Sequence, residues 1–125
     1  MTPGVSPGLS FEVTREVTVE LSASHLGSGS VGVLATPAMI LLMETAARRA
    51  VQPHLPEGQT TVGYLVNVRH LAPSPIGVEV TARAEVTAVD GRRITFAVRA
   101  TEGDKLIGDG EHVRVVVDEA AFLRA

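Results

Sequence analysis

The chain is expected to be an α+β domain in which a curved antiparallel sheet wraps one central helix. Three observations predict this. Only one stretch, Thr36 to Val51, is long enough and suitably bounded for a substantial helix. After Gln52 the hydrophobic period becomes two over four successive segments. Each of those segments has one apolar face, and the helix is the only large apolar body available to cover them.

In chain order, Met1 to Ser10 holds two prolines and two glycines and reads as a loose lead-in. Phe11 to Glu20 alternates, with Phe11, Val13, Val17 and Val19 opposite Glu12, Thr14, Glu16, Thr18 and Glu20, as a half-buried strand does. His25 to Gly32 is rich in Gly and Ser and reads as a loop. At the helix start, Thr36 has the side chain of a cap and Pro37 suits the first turn, where its missing N–H would be unpaired anyway. Ala38 to Met43 is apolar throughout, which predicts burial on more than one side. The helix should stop near Gln52-Pro53.

From Thr60 to Ala72, the alternation sets Val62, Tyr64, Val66, Val68, His70 and Ala72 on one face. Thr61, Gly63, Leu65, Asn67, Arg69 and Leu71 take the other. Pro73-Ser74-Pro75 turns the chain. Val78, Val80, Ala82, Ala84 and Val86 then point inward, Asp90-Gly91 marks a hairpin, and Ile94, Phe96, Val98 and Ala100 follow. A last strand, Leu106 to Val117, contains Gly108 and Gly110, which signal a bulge or a close backbone approach. The predicted order is strand, helix, then a meander of four strands. Joining two such sheets through an edge strand would remove the exposed edge, so a homodimer is expected.

Composition narrows the function classes. The 125 residues suit one domain, taken as 1–125, and 45% hydrophobic content argues against disorder. A net charge of −3 with no basic cluster makes nucleic acid an unfavourable partner. Without cysteine there is no disulfide, thiolate nucleophile or cysteine metal site. The apolar run is too short to span a bilayer, and a cytoplasmic location is the expectation. His25, His54 and His112 have no spacing that suggests a metal site, and no cofactor is expected.

Thr36, Glu44 and His70 are the candidate catalytic residues. Glu44 ends the apolar half of the helix. It reads either as a solvated carboxylate paired with Arg48 at i,i+4 or as a functional group at the edge of a buried region. His70, on an apolar strand face, is either a satisfied core histidine or a base oriented by Glu44. The Thr36 hydroxyl is either a plain helix cap or a reactive group beside free N–H groups that favour a developing oxyanion.

The segments Ala35-Thr36-Pro37 with Met43-Glu44, Thr61-Val62-Gly63-Tyr64, Val68 to Pro73 and Gly110-Glu111-His112-Val113-Arg114 resemble the fluoroacetyl-CoA thioesterase family. The resemblance covers nearly the whole chain and implies a hot-dog fold. It also implies acyl-CoA thioester hydrolysis, with the CoA ester as substrate and no resident cofactor. Thr36 would be the nucleophile or would position water, His70 would be base and then acid, and Glu44 would orient it or assist. Gly63 and Arg114 match substrate-contacting positions. One departure stands out: His25 to Ser30 has no aromatic residue where the fluoroacetyl-specific enzyme has an aromatic lid, so the acyl group is left open. The alternative function is a hot-dog module that binds an acyl-CoA or another small ligand without turnover. A hydratase ranks below both, because no Asp/His pair stands at a helix start.

Overall fold

The computed structural model describes residues 4–124. Its elements are β1 (Ser10–Glu16), a one-turn α1 (Ala23–Leu26), the long α2 (Thr36–Val51), β2 (Gln59–His70), β3 (Glu79–Asp90), β4 (Arg93–Glu102), β5 (Lys105–Asp118) and a short α3 (Glu119–Arg124). All five strands are antiparallel in one sheet of order β1-β3-β4-β5-β2. This is the hot-dog arrangement, with α2 packed on the concave face. The inward alternation of β3 and β4 is as expected: Val80, Ala82, Ala84, Val86, Ile94, Phe96, Val98 and Ala100 are all buried. Opposite them lie Ala38, Met39, Leu42, Met43, Ala46, Ala47, Ala50 and Val51 of α2.

Several expectations change. The four strands after the helix are not one meander. Only β3, β4 and β5 are joined as hairpins, whereas β2 pairs with β5 at the far edge. The connection from β2 to β3 crosses in front of the start of α2. It is tied there by the bond from the Leu34 N–H to the Ser74 carbonyl (2.8 Å) and by a bridge between Val33 and Pro75. The first strand ends at Glu16 rather than Glu20. Its chain then turns through a 3-10 segment at Val19–Leu21, leaving Val19 exposed. Phe11 is also half-open, on an edge strand beneath the Arg49 guanidinium.

Of the lead-in, residues 1–3 lie outside the described residues. The remainder is not loose: Val5 is buried, and Gly8 and Leu9 exchange backbone bonds with Val86. In α2, Ile40 is half-buried and Leu41 exposed, so the helix buries a stripe and not its whole first half. The segment expected to be a loop from His25 begins inside α1, and His54 ends a 3-10 turn.

The largest correction concerns β2. Gly63 pairs with Arg114 and Leu65 with Val113, so Tyr64 is an extra residue and the strand carries a bulge. A one-residue bulge exchanges the two faces of a strand beyond it. Thr61 and Gly63, expected opposite His70, therefore share its inward face, while Tyr64 turns out beneath the Arg93 guanidinium, 4.6 Å from the ring centroid. The glycine signal in β5 holds. A Cβ on Gly110 would collide with the Asn67 carbonyl, and one on Gly108 with the Met39 sulfur.

Candidate active site

Two polar clusters lie along α2. At its start, Thr36 is the first helical residue and Ala35 occupies the cap position, with no side-chain capping bond. The Thr36 hydroxyl is thus not the expected cap. It forms a 2.7 Å hydrogen bond with His70 Nδ1. The chain ends that meet here are fixed independently, Thr36 by the helix and His70 by the last residue of β2. Burial pushes the His70 imidazole below its ordinary value of 6.5, with the Ala72 backbone opposing this. A neutral ring with Nδ1 facing a hydroxyl is a base ready to accept its proton. His70 Nε2 is buried and has no hydrogen-bond partner among the described residues.

Beside this pair opens a cavity of about 330 Å³ between the 23–33 segment and the residues that follow β2. The first turn of α2 borders it, and helix N-termini present unpaired N–H groups there.

Glu44 stands eight residues further along α2, about 12 Å at 1.5 Å rise per residue. Its Oε2 lies 3.7 Å from Arg114 Nη1 and would be 2.9 Å from a Cβ placed on Gly63. Glu44 is half-buried where it faces Arg114. No ion pair with Arg48 forms, and no hydrogen bond joins Glu44 to His70 among the described residues. The structure does bring together Glu44, Gly63 and Arg114, as it separately brings together Thr36 and His70.

Arg114 is held firmly. Its Nε donates to Thr61 Oγ1 (2.8 Å), its Nη2 to the Thr61 carbonyl (3.0 Å) and its Nη1 to His112 Nε2 (3.2 Å). Since Nε2 of His112 accepts, the ring proton is on Nδ1, which donates to the Leu65 carbonyl at 2.8 Å. Burial first, and Arg114 in addition, push the His112 ring below 6.5, while the Leu65 carbonyl and Glu44 oppose this. His112 is therefore neutral, in one tautomer, and it links the β2 bulge to the guanidinium that faces Glu44. Burial likewise lowers the Arg114 guanidinium below its ordinary value, partly offset by Glu44.

His112 and Thr61 are the site residues that the sequence reading missed. The available signal was His112 and Arg114 at i,i+2, two polar side chains on one face of an apolar strand. Thr61 was hidden by the unforeseen bulge, which alone turns it inward. No group of three or more potential metal ligands occurs among the described residues, and no helix among them is long and apolar enough to cross a membrane.

Comparison with known proteins agrees with this fold. Residues 13–120 match the family model described as FlK, fluoroacetyl-CoA-specific thioesterase. The chain is 42% identical over 90 residues to the fluoroacetyl-CoA thioesterase of Streptantibioticus cattleyicolor, a match spanning 72% of this chain and 65% of that protein. A solved structure of the fluoroacetyl-CoA thioesterase FlK superposes with a TM-score of 0.89 at 34% identity, covering 97% of this chain and 94% of the other. FlK variants are also solved with acetyl-CoA and with fluoroacetate and CoA. A Thermus thermophilus thioesterase superfamily member gives 0.89 at 32% identity, covering 99% and 91%. With the family model covering most of its length, this chain belongs to the fluoroacetyl-CoA-specific thioesterase family of hot-dog-fold thioester hydrolases.

Proposed function

We propose that the chain hydrolyses acyl-CoA thioesters, with Thr36 and His70 at the reacting carbon. The observation that carries this is the 2.7 Å bond between the Thr36 hydroxyl and His70 Nδ1 at the mouth of a cavity. His70 Nδ1 takes the proton as Thr36 Oγ1, or a water held on it, attacks the thioester carbonyl. The carbonyl oxygen, now negative, is favoured beside the uncapped first turn of α2. The C–S bond then breaks and the proton passes from His70 to the departing CoA sulfur. Where Thr36 Oγ1 is the nucleophile, a water deprotonated by His70 then cleaves the acyl-Thr36 ester and the proton returns to Oγ1, releasing the acid. CoA ester enters as substrate and leaves as free thiol and acid, so no resident cofactor is needed.

Glu44, Gly63 and Arg114 act, in this reading, from a second copy of the chain. Edge strand β2 exposes Tyr64, Leu65 and Val66, which favours pairing with another strand. Antiparallel pairing of β2 with its copy about a centre near Val66 sets Gly63 of one protomer opposite His70 of the other. Gly63 and His70 share the inward face, so Glu44 and the Gly63 backbone would then stand beside the acyl carbonyl. Light scattering is expected to give a dimer at micromolar concentration, and a monomer would remove this part of the proposal.

The test of the activity is thiol release from a panel of acyl-CoAs by the wild type, Thr36→Ala and His70→Ala. Loss of the general base should lower kcat/KM by about 10²- to 10⁴-fold. Full activity in both variants would overturn the assignment. A burst of thiol equal to the enzyme concentration would identify Thr36 as nucleophile. Thermal stabilisation by CoA esters with no thiol release would support the binding module instead.

A further inference from the structure

We infer that the acyl group accepted beside Thr36 and His70 is an uncharged alkyl chain longer than acetyl, selected by an aliphatic wall. This rests on the thioesterase reading above and extends it to the substrate class. The cavity of about 330 Å³ at the pair is walled by Ala23, Val31, Val33, Leu71, Ala72 and Pro73. Among the described residues no Phe, Tyr or Trp lines it, and apart from His70, whose neutral form is favoured by burial, neither does any ionisable side chain. Against this wall, a carboxylate at the far end of the acyl chain would lose water without gaining a cation, because the Arg114 supplied by a second copy stands, in the reading above, at the carbonyl end and already faces Glu44. An alkyl chain would exchange water for Val31, Val33 and Leu71.

The wall is built, not incidental. The Ala23 and Ser24 N–H groups donate to the Val33 and Val31 carbonyls at 2.8 and 3.2 Å, and the Ser28 N–H returns to Ala23 at 3.1 Å. On the other side, the bridge between Val33 and Pro75 fastens the segment to the residues following β2. The loop therefore holds its valines at fixed places over the pair. Val31 and Leu71 remain 60% and 45% exposed, so each has apolar surface left for a ligand to cover. An acetyl or fluoroacetyl group, with one carbon beyond the carbonyl, would leave most of the cavity unfilled.

The test is kcat/KM for acetyl-, fluoroacetyl-, propanoyl-, butanoyl-, hexanoyl- and succinyl-CoA with the wild type, Val31→Phe and Leu71→Ala. For the wild type, kcat/KM is expected to rise about fourfold per added methylene until the cavity is full, the factor that burying one CH₂ supplies. Succinyl-CoA should fall well below butanoyl-CoA. Leu71→Ala should lower hexanoyl turnover several-fold more than it lowers acetyl turnover. Val31→Phe, at an exposed position that tolerates a larger side chain, should shift the optimum to shorter acyl groups. A preference for acetyl or fluoroacetyl, a flat profile, or succinyl turned over as well as butanoyl would overturn the inference while leaving the thioesterase reading in place. Absence of thiol release from every ester would overturn both.

Discussion

The two ends of the polar row on α2 are built in opposite ways. At Thr36 and His70, one short hydrogen bond joins two side chains beside an open cavity, and His70 Nε2 has no hydrogen-bond partner among the described residues. Around Arg114, three donors are satisfied by Thr61 and His112, and the guanidinium is 7% exposed by residue. The first cluster can rearrange at little cost, as proton transfer requires. The second is over-determined, as suits a group that must hold charge in place. Chemistry is expected from the loosely tied pair and positioning from the tightly tied one.

Substitutions should separate the two. The largest effect is expected from His70→Ala, with kcat/KM down about 10²- to 10⁴-fold and the melting temperature little changed, because His70 makes a single side-chain hydrogen bond. If the protein unfolds instead, His70 is a structural residue and the contrast collapses. Arg114→Met should do the reverse in stability. It strands Thr61 and His112, and each buried group left unpaired costs about 1–3 kcal/mol, which thermal unfolding would reveal.

Gly63→Ala tests the boundary between the clusters. Its Cβ would meet Glu44 Oε2 at 2.9 Å, the far end of a flexible side chain, so the fold should survive with Glu44 displaced. Roughly tenfold lower kcat/KM with an unchanged melting curve is expected, in line with the sensitivity of catalysis to small displacements. Unchanged kinetics would show that Glu44 need not sit where it does.

A smaller effect is expected with pH. Burial lowers the His70 and His112 imidazoles below 6.5, so the folded state binds fewer protons there than the unfolded chain. The stability this provides is fully present above 6.5 and is lost as pH falls through the folded values. Activity should follow His70 alone, level above 6.5 with its acid midpoint below that value in a kcat/KM profile. In the His112→Gln variant the acid loss of stability should shrink, while the acid limb of activity stays. A limb that moved with His112 would merge the two clusters into one titrating unit.

Much of this was legible in the residues. The helix from Thr36 to Val51, the inward sets of β3 and β4, and the hairpin at Asp90-Gly91 follow from local periodicity and turn chemistry. Thr36, Glu44 and His70 stood out by residue type and place, and Gly63 and Arg114 through the family resemblance. Even the separation of Thr36 from Glu44 was implicit, since eight residues of helix fix about 12 Å. The role of His112 was not legible, because a histidine on a strand gains meaning only from the arginine and the carbonyl that its two nitrogens meet.

By itself, then, the sequence determined where the long helix and the main strands lie, which faces of β3 and β4 are buried, and which residue types were available for chemistry. Those are short-range properties, repeated every two or every 3.6 residues. Only the tertiary structure decided that β2 crosses to the far edge, that Tyr64 bulges, and that the Thr36 hydroxyl serves His70 instead of capping its helix. Each of those depends on a partner distant in the chain: β5 for the placing and register of β2, and the end of β2 for the hydroxyl of Thr36. Strand alternation carries no information about where an extra residue will be accommodated. One such residue moved Thr61 and Gly63 to the inward face and so completed the cluster around Arg114.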